Sequence, residues 1–364
     1  MNENQQEKKS LASKLTTWVH HHKKLAILFG VLTVLIIGGG VTAGLMFFNQ
    51  PAAAPTQQVA PPAPEPEPEP PKYYSNLPGE LVKNEAAINA PVTAVMIENS
   101  PDARPQSGLK KSEVVFEAVA EGGITRFLVL YQQEKPDLIG PVRSVRIYYV
   151  NWLAPFDASI AHVGGSADAL AEVRSGKYRD IDQFFNAASY WRSTDRYAPH
   201  NVYTSFERLD ALNKAKGYKE SAFTGFTRTD SEPVEKPDAT KISVSISSPA
   251  YNSSYTYDKK TNLYKRSQGG GKHLDREEGQ ISPKILVVMK MPMEQVPGYS
   301  TRIKAIGSGE AHIFQDGTVQ KVTWQKKNRT SQITFTDKDG DDVPLARGQT
   351  WITAVPTTGG VSWQ

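Results

Sequence analysis

Glu117, Glu121, Arg126, Arg143 and Arg146 fall within one stretch of this chain, SEVVFEAVAEGGITRFLVLYQQEKPDLIGPVRSVR, which begins at Ser112. Residues of these types do two kinds of chemistry. A pair of carboxylates can serve as acid and base on a glycosidic bond, and arginines can hold a carboxylate or phosphate through charge-assisted hydrogen bonds. The elements that carry them decide which. Val114, Phe116, Ala118 and Ala120 alternate with Val115, Glu117, Val119 and Glu121, the period of a strand. Gly122-Gly123 then offers a two-residue turn, and Ile124 to Tyr131 a second strand. With that turn Val119 faces Arg126, and Glu117 and Glu121 become the diagonal neighbours of Arg126 on one face. Gly140-Pro141 predicts a helix start with Arg143, Ser144 and Arg146 in its first turn. Cations there oppose the helix dipole by about 0.3–1 kcal/mol each, so a bound anion that rewards them is expected. A plain ion-pair network fits the same residues, and both readings stay open.

Two further segments carry polar groups. Ser159 to Val163 reads as a short strand that runs into Gly164-Gly165-Ser166 and a helix from Ala167 to Arg174, which makes either an anion cradle or an ordinary helix cap. The block from Tyr190 to Tyr203 mixes aromatic rings with Arg192, His200 and Asn201, a composition suited to a carbohydrate or anionic polymer, and equally to a packed loop. A nucleophilic Ser166 served by His162 or His200 with Asp182 as orienter is a weak alternative, because the spacing does not match a G-x-S-x-G elbow. His162, His200, His273 and His312 lie on different segments without paired spacing, so no metal and no cofactor are expected. There is no cysteine, which excludes thiol catalysis, thiolate metal sites and a lipidated cysteine.

The positioning elements sit in a longer plan. Residues 25–48 carry no charge over 24 positions, about 36 Å as a helix, enough for one membrane span. Lysines precede that run and none follows it directly, so residues 1–24 are expected to be a cytoplasmic tail and residues 49–364 extracytoplasmic, at the cell membrane. A cleavable signal peptide ending near Ala52-Ala53-Ala54 is the rival. Residues 49–76 form a Pro/Glu-rich linker, extended and coreless. The remainder divides into an α+β ectodomain, 77–228, and a β-rich C-terminal domain, 240–364, mostly antiparallel and marked by the turn pairs Asp316-Gly317 and Asp339-Gly340. The fold class is therefore α+β with an N-terminal transmembrane helix. Five lysines against Glu3 and Glu7 put +3 of the formal +4 charge within residues 1–48; the near-neutral remainder argues against nucleic acid as a partner.

MIENSPDARPQSGL (96–109), VFEAVAEGGITRFLVLY (115–131), GPVRSVR (140–146), HVGGS (162–166), APHNVY (198–203), KHLD (272–275) and GQTWI (348–352) resemble the YerB-like family of bacterial envelope proteins, in order and across both domains. That resemblance implies a bacterial, extracytoplasmic, two-domain protein and brings no catalytic residue, because the family is one of unknown function. Three functional expectations remain. The first is binding of an anionic envelope glycan or polymer by Arg126, Arg143, Arg146 and the Gly164–Ser166 turn. The second is a cell-wall glycan hydrolase or lyase using Glu117 and Glu121, although a guanidinium between two carboxylates lowers both pKa values, the wrong direction for a general acid. The third is an envelope protein–protein scaffold. Whether the protein is an enzyme is left open.

Overall fold

The structure, a computed structural model, describes residues 71–296 and 301–364, together with residues 16–24, 27 and 31. The expected membrane span, residues 25–48, lies outside the described residues except for Ile27 and Val31. Among the described residues no helix is long and apolar enough to cross a membrane, so the expected N-terminal transmembrane helix is not part of the observed fold. The linker expected at 49–76 is described only from residue 71 onward.

The first half of the compact unit supplies β1 (Thr93–Glu98), β2 (Val114–Val119), β3 (Thr125–Tyr131), α1 (Ile147–Leu153), β4 (Ser159–Ala161), α2 (Ala167–Val173), β5 (Arg179–Asp180) and α3 (Phe206–Ala215). The second half is all strand. The strands it contributes to the two large sheets are β6 (Lys241–Val244), β7 (Ser253–Asp258), β8 (Leu263–Gln268), β9 (Gly271–Lys272), β10 (Ile285–Met291), β11 (Gly307–Gln315), β12 (Thr318–Lys326), β13 (Thr334–Thr336), β14 (Thr350–Pro356) and β15 (Val361–Trp363).

Strands of both halves join in one ten-stranded mixed sheet of order β13-β12-β11-β10-β14-β2-β3-β1-β4-β5. The seam is the parallel pair β14 and β2, where Trp351 stands beside Val115 and Thr353 beside Glu117. β1, β2 and β3 are buried at every position. That is what a strand covered on both faces requires, and their sequences are nearly continuous apolar runs for the same reason. On one face Phe116, Leu128 and Met96 pack with Tyr148, Tyr149, Trp152 and Phe156 of the α1 segment, Phe116 stacking on Trp152 at 5.5 Å. On the other face Val115, Phe127 and Trp351 meet Ile242, Tyr255 and Tyr264 of a five-stranded sheet, β9-β8-β7-β6-β15, with Phe206 and Leu209 of α3 in the same core. β7 alternates buried and exposed residues, as expected of a strand with one face in solvent.

Two local expectations are corrected. The turn at Gly122-Gly123 closes a three-residue loop: Ala120 N–H donates to Ile124 O at 2.7 Å, and both glycines have positive φ, 56° and 77°. Arg126 therefore pairs with Ala118 and not with Val119. A slip of one residue moves every side chain to the opposite face, and Glu117 leaves the face of Arg126. The second correction concerns Pro141. Residues 140–146 run extended, because their backbone groups are taken by neighbours: Val142 N–H donates to Val202 O, Arg143 N–H to Met96 O and Val145 N–H to Gly164 O. The helix starts only at Ile147, with Arg146 as its N-cap.

Candidate functional site

Glu117 points into the interface between the two sheets, where it is completely buried. Arg266 of β8, equally buried, places Nη2 at 3.0 Å from both carboxylate oxygens. Trp351 Nε1 donates to Oε2 at 2.9 Å, and the hydroxyl of Thr125 to Oε1 at 3.3 Å. The guanidinium lies 4.5 Å from the ring centre of Trp351 and also donates to the phenol of Tyr255. A charge so far from water is tolerated because both carboxylate oxygens and all three guanidinium nitrogens have partners.

From this pair the hydrogen bonds run in a closed ring, and the donors fix its direction. Arginine only donates, so His273 must accept the 2.9 Å bond from Arg266 Nε at Nδ1, and its proton sits on Nε2, 3.0 Å from Gln106 Oε1. The Gln106 amide then donates to Asn99 Oδ1 at 2.9 Å, the Asn99 amide to Thr125 Oγ1 at 2.6 Å, and Thr125 returns to Glu117. Burial, with the guanidiniums of Arg266 and Arg104 nearby, holds His273 well below the usual histidine range, as the neutral tautomer demands. Through Gln106 and Asn99 the ring anchors the 99–106 loop, and Arg104 Nε adds a 3.1 Å bond to Asn99 Oδ1.

Glu98, at the end of β1, lies on the other face of the sheet as the cross-strand partner of Arg126. Its Oε1 receives His200 Nδ1 at 3.0 Å and the hydroxyl of Ser100 at 3.1 Å, with Arg143 Nε at 3.3 Å. Its Oε2 is buried and has no partner. The Glu98 side chain is 4% exposed, whereas Arg143 and His200 are 27% and 22% exposed, so the carboxylate forms the floor and the two cations the rim. The loop that follows Glu98 and the segment that carries His200 also hold Arg104, Arg192 and Arg196. They donate to neutral oxygens only: Arg104 to Asn99 and Ala250 O, Arg192 to Asn201 Oδ1 at 2.8 Å, and Arg196 to the carbonyls of Asp102 and Pro105. Tyr197 is 92% exposed beside them.

The sequence-predicted residues fall into three groups. Arg126, Arg146 and Glu121 do come together: Glu121 bridges Arg126 Nη2 at 2.8 Å and Arg146, while Arg126 Nη1 donates to Ser144 O at 2.8 Å. Burial pulls the Arg126 guanidinium below its usual pKa, against the attraction of Tyr149, Tyr148 and Glu98. Arg143 and His200 meet Glu98, and Arg192 and Asn201 pair in the segment that carries His200, as described above. Gly164, Gly165 and Ser166 form a separate packing turn. A Cβ at Gly165 would stand 2.7 Å from Val145 Cγ1, and Gly164 takes φ 61°. The hydroxyl of Ser166 donates to Asp168 and meets no histidine. His162 is fully buried between Gly164 O at 2.8 Å and Asp180 Oδ1 at 3.0 Å, and Asp182 receives Arg174 at 2.7 Å, so no serine triad is assembled. Burial raises the Asp180 carboxyl, but the His162 contact, the Asp182 N–H and Arg174 bring it below its usual value. Glu117 and Glu121, the predicted acid–base pair, lie on opposite faces, with Glu117 enclosed. Among the described residues no group of three or more His, Asp or Glu is placed to hold a metal ion.

Glu98, Ser100, Asn99, Gln106, Arg266 and Trp351 were missed as site residues. For Glu98, Asn99, Ser100 and Gln106 the available signal was the polar, proline-marked loop that opens at Glu98; Arg266 and Trp351 had no local signal.

Residues 77–219 match the N-terminal domain, and residues 242–352 the C-terminal domain, of the family described as protein of unknown function DUF3048. The chain is 33% identical over 292 residues to a Bacillus subtilis (strain 168) protein named "Putative lipoprotein YerB", an alignment spanning 78% of this chain and 87% of that one. The crystal structure of the YerB protein from Bacillus subtilis superposes with a TM-score of 0.71 at 31% identity, covering 80% of this chain and all of that one. That relative's name speaks of a lipoprotein, not of a helix crossing the membrane. With no spanning helix among the described residues, the expected single-pass placement with a cytoplasmic N-terminus and extracytoplasmic residues 49–364 is withdrawn. On both matched halves, and on a homologue aligned across most of its length, this chain belongs to the YerB-like DUF3048 family, a family of unknown function.

Proposed function

We propose that the chain binds an anionic, hydroxyl-bearing polymer, an acidic glycan, on the surface around Glu98. The observation that carries this reading is the buried, unpartnered Oε2 of Glu98 beneath a rim of arginines. An orphaned buried acceptor costs about 1–3 kcal/mol, which a ligand hydroxyl would recover. The guanidiniums of Arg104, Arg192 and Arg196, bonded only to neutral oxygens, supply the donors for the ligand's acidic groups. Tyr197 offers a flat face for a sugar ring.

The test compares the full chain's binding to polygalacturonate and to neutral dextran. The reading expects binding of the polyuronate alone, weakening as salt rises, and a loss of about tenfold in Arg143→Ala. Equal affinity for dextran, or an Arg143→Ala variant that binds as wild type, would refute it. A protein–protein scaffold is the second reading, favoured by Phe184 and Phe185, which stand 67% and 71% exposed side by side. Cleavage of glycan by Glu117 and Glu121 loses support, since the two share no face and Glu117 has no path to a substrate.

A further inference from the structure

We propose that a cavity of about 430 Å³ at the C-terminal end of α1 binds a short zwitterionic peptide, with Asp157 holding its ammonium group and Arg329 its carboxylate. The cavity shares no lining residue with the surface around Glu98 and uses both halves of the chain. Leu153, Pro155 and Ala158 give it an apolar side, and its volume lies within the roughly 300–1,000 Å³ usual for small-ligand sites.

The charged groups are arranged as two poles. At one, Asp157 Oδ2 takes Arg179 Nη2 at 2.7 Å and the Ala222 N–H at 3.0 Å, contacts that leave Oδ1 to receive an ammonium. At the other, Arg329 spends Nη1 on Glu172 at 2.6 Å and Nε on Asn151 Oδ1 at 2.9 Å and also meets the Tyr178 phenol, which leaves two of its five N–H groups to donate to a carboxylate. Both side chains are more than a third exposed, at 37% and 38%. Each pole is held rigidly. The Ser221 hydroxyl donates to Asp157 O at 2.8 Å, and buried Lys326 donates to Arg329 O at 2.9 Å and to Ser331 O, pinning the loop that presents Arg329. Burial, with Glu172 nearby and hydrogen-bonded to it, pushes the Tyr178 phenol up to about 12, so it keeps its proton at neutral pH and helps to hold Glu172 in place. An acidic pole and a basic pole across an apolar wall match a molecule with opposite charges at its ends. The apolar wall leaves room for side chains between them.

Calorimetric titration of the full chain with L-alanyl-L-alanine, its N-acetylated form and its C-terminal amide tests each pole. The proposal expects dialanine to bind with a Kd of about 1 mM or tighter, and each blocked form to bind at least about tenfold more weakly. Arg329→Gln should abolish the discrimination against the amide, and Arg329→Lys should restore part of it. No heat from dialanine, or equal binding of all three probes, overturns the proposal. So does a folded Arg329→Gln variant that discriminates as wild type does. If Arg329→Gln fails to fold, the three probes on the wild-type chain still decide.

Discussion

Glu117 and Glu98 sit on strands of one sheet that flank β3, both almost wholly buried and both paired with arginine, yet they do opposite things. Glu117 faces the interface between sheets within a closed ring: Arg266 donates both to Glu117 and to His273, and His273, Gln106, Asn99 and Thr125 each donate to the next member until Thr125 returns to Glu117. Glu98 faces the other way, with one oxygen bonded and the other without a partner. A saturated buried charge belongs to the architecture, whereas an unsaturated one beneath exposed cations is available to a ligand. The two are linked, because the ring that encloses Glu117 also anchors the loop running from Glu98 to Gln106.

Breaking the ring should have the largest effect. Arg266→Ala leaves Glu117 buried and uncompensated, and denaturant unfolding is expected to show a loss of about 3–5 kcal/mol. Glu98→Gln should cost far less stability, about 1 kcal/mol, while weakening polygalacturonate binding about tenfold. A variant as destabilised as Arg266→Ala would show that Glu98 is part of the scaffold.

The pH dependence of stability sharpens the contrast. His273 has a folded pKa depressed below the unfolded value near 6.5, so its share of stability is present above that value and is lost as pH falls below it. Glu113 runs the other way. Its carboxylate accepts the backbone N–H groups of Gln132, Gln133 and Glu134, yet burial outweighs them and pushes it to about 7. A raised carboxyl pKa makes the fold favour the protonated form, so stability declines as pH rises from about 4.5 to about 7. The His273→Gln variant should lose the acid-side penalty, and Glu113→Gln the decline toward neutrality, both read as differences from wild type in unfolding free energy against pH. The smallest effect is expected at Arg302→Ala. Its contact with Glu294 joins two side chains about two-thirds exposed, and removal should change stability by less than about 0.5 kcal/mol.

Much of the scaffold was readable because it rests on local rules. Asp316-Gly317 predicted a hairpin, and the structure has positive φ at both residues between β11 and β12. The strand at 159–161 and the helix at 167–173 also stand where the short apolar run and the glycines placed them. The site was harder, for two reasons. A three-residue loop at Glu121–Gly123 is indistinguishable from a two-residue one in a Gly-Gly sequence, and that single position carried Glu117 to the other face. Glu117 also meets Arg266 across 149 residues of chain, a pairing no local pattern encodes. Pro141 misled similarly: its extended backbone is fixed by Met96, Val202 and Gly164, which are remote in sequence. Arg143 meets Glu98 at the end of β1, a contact that no local pattern encodes either.

The most direct test of the central claim is a crystal structure of the full chain soaked with a galacturonate oligomer. The account predicts a sugar hydroxyl within about 3 Å of Glu98 Oε2 and a uronate carboxylate on the guanidinium of Arg143, Arg192 or Arg196. An oligomer bound elsewhere, with Glu98 Oε2 satisfied by a protein group alone, would contradict it.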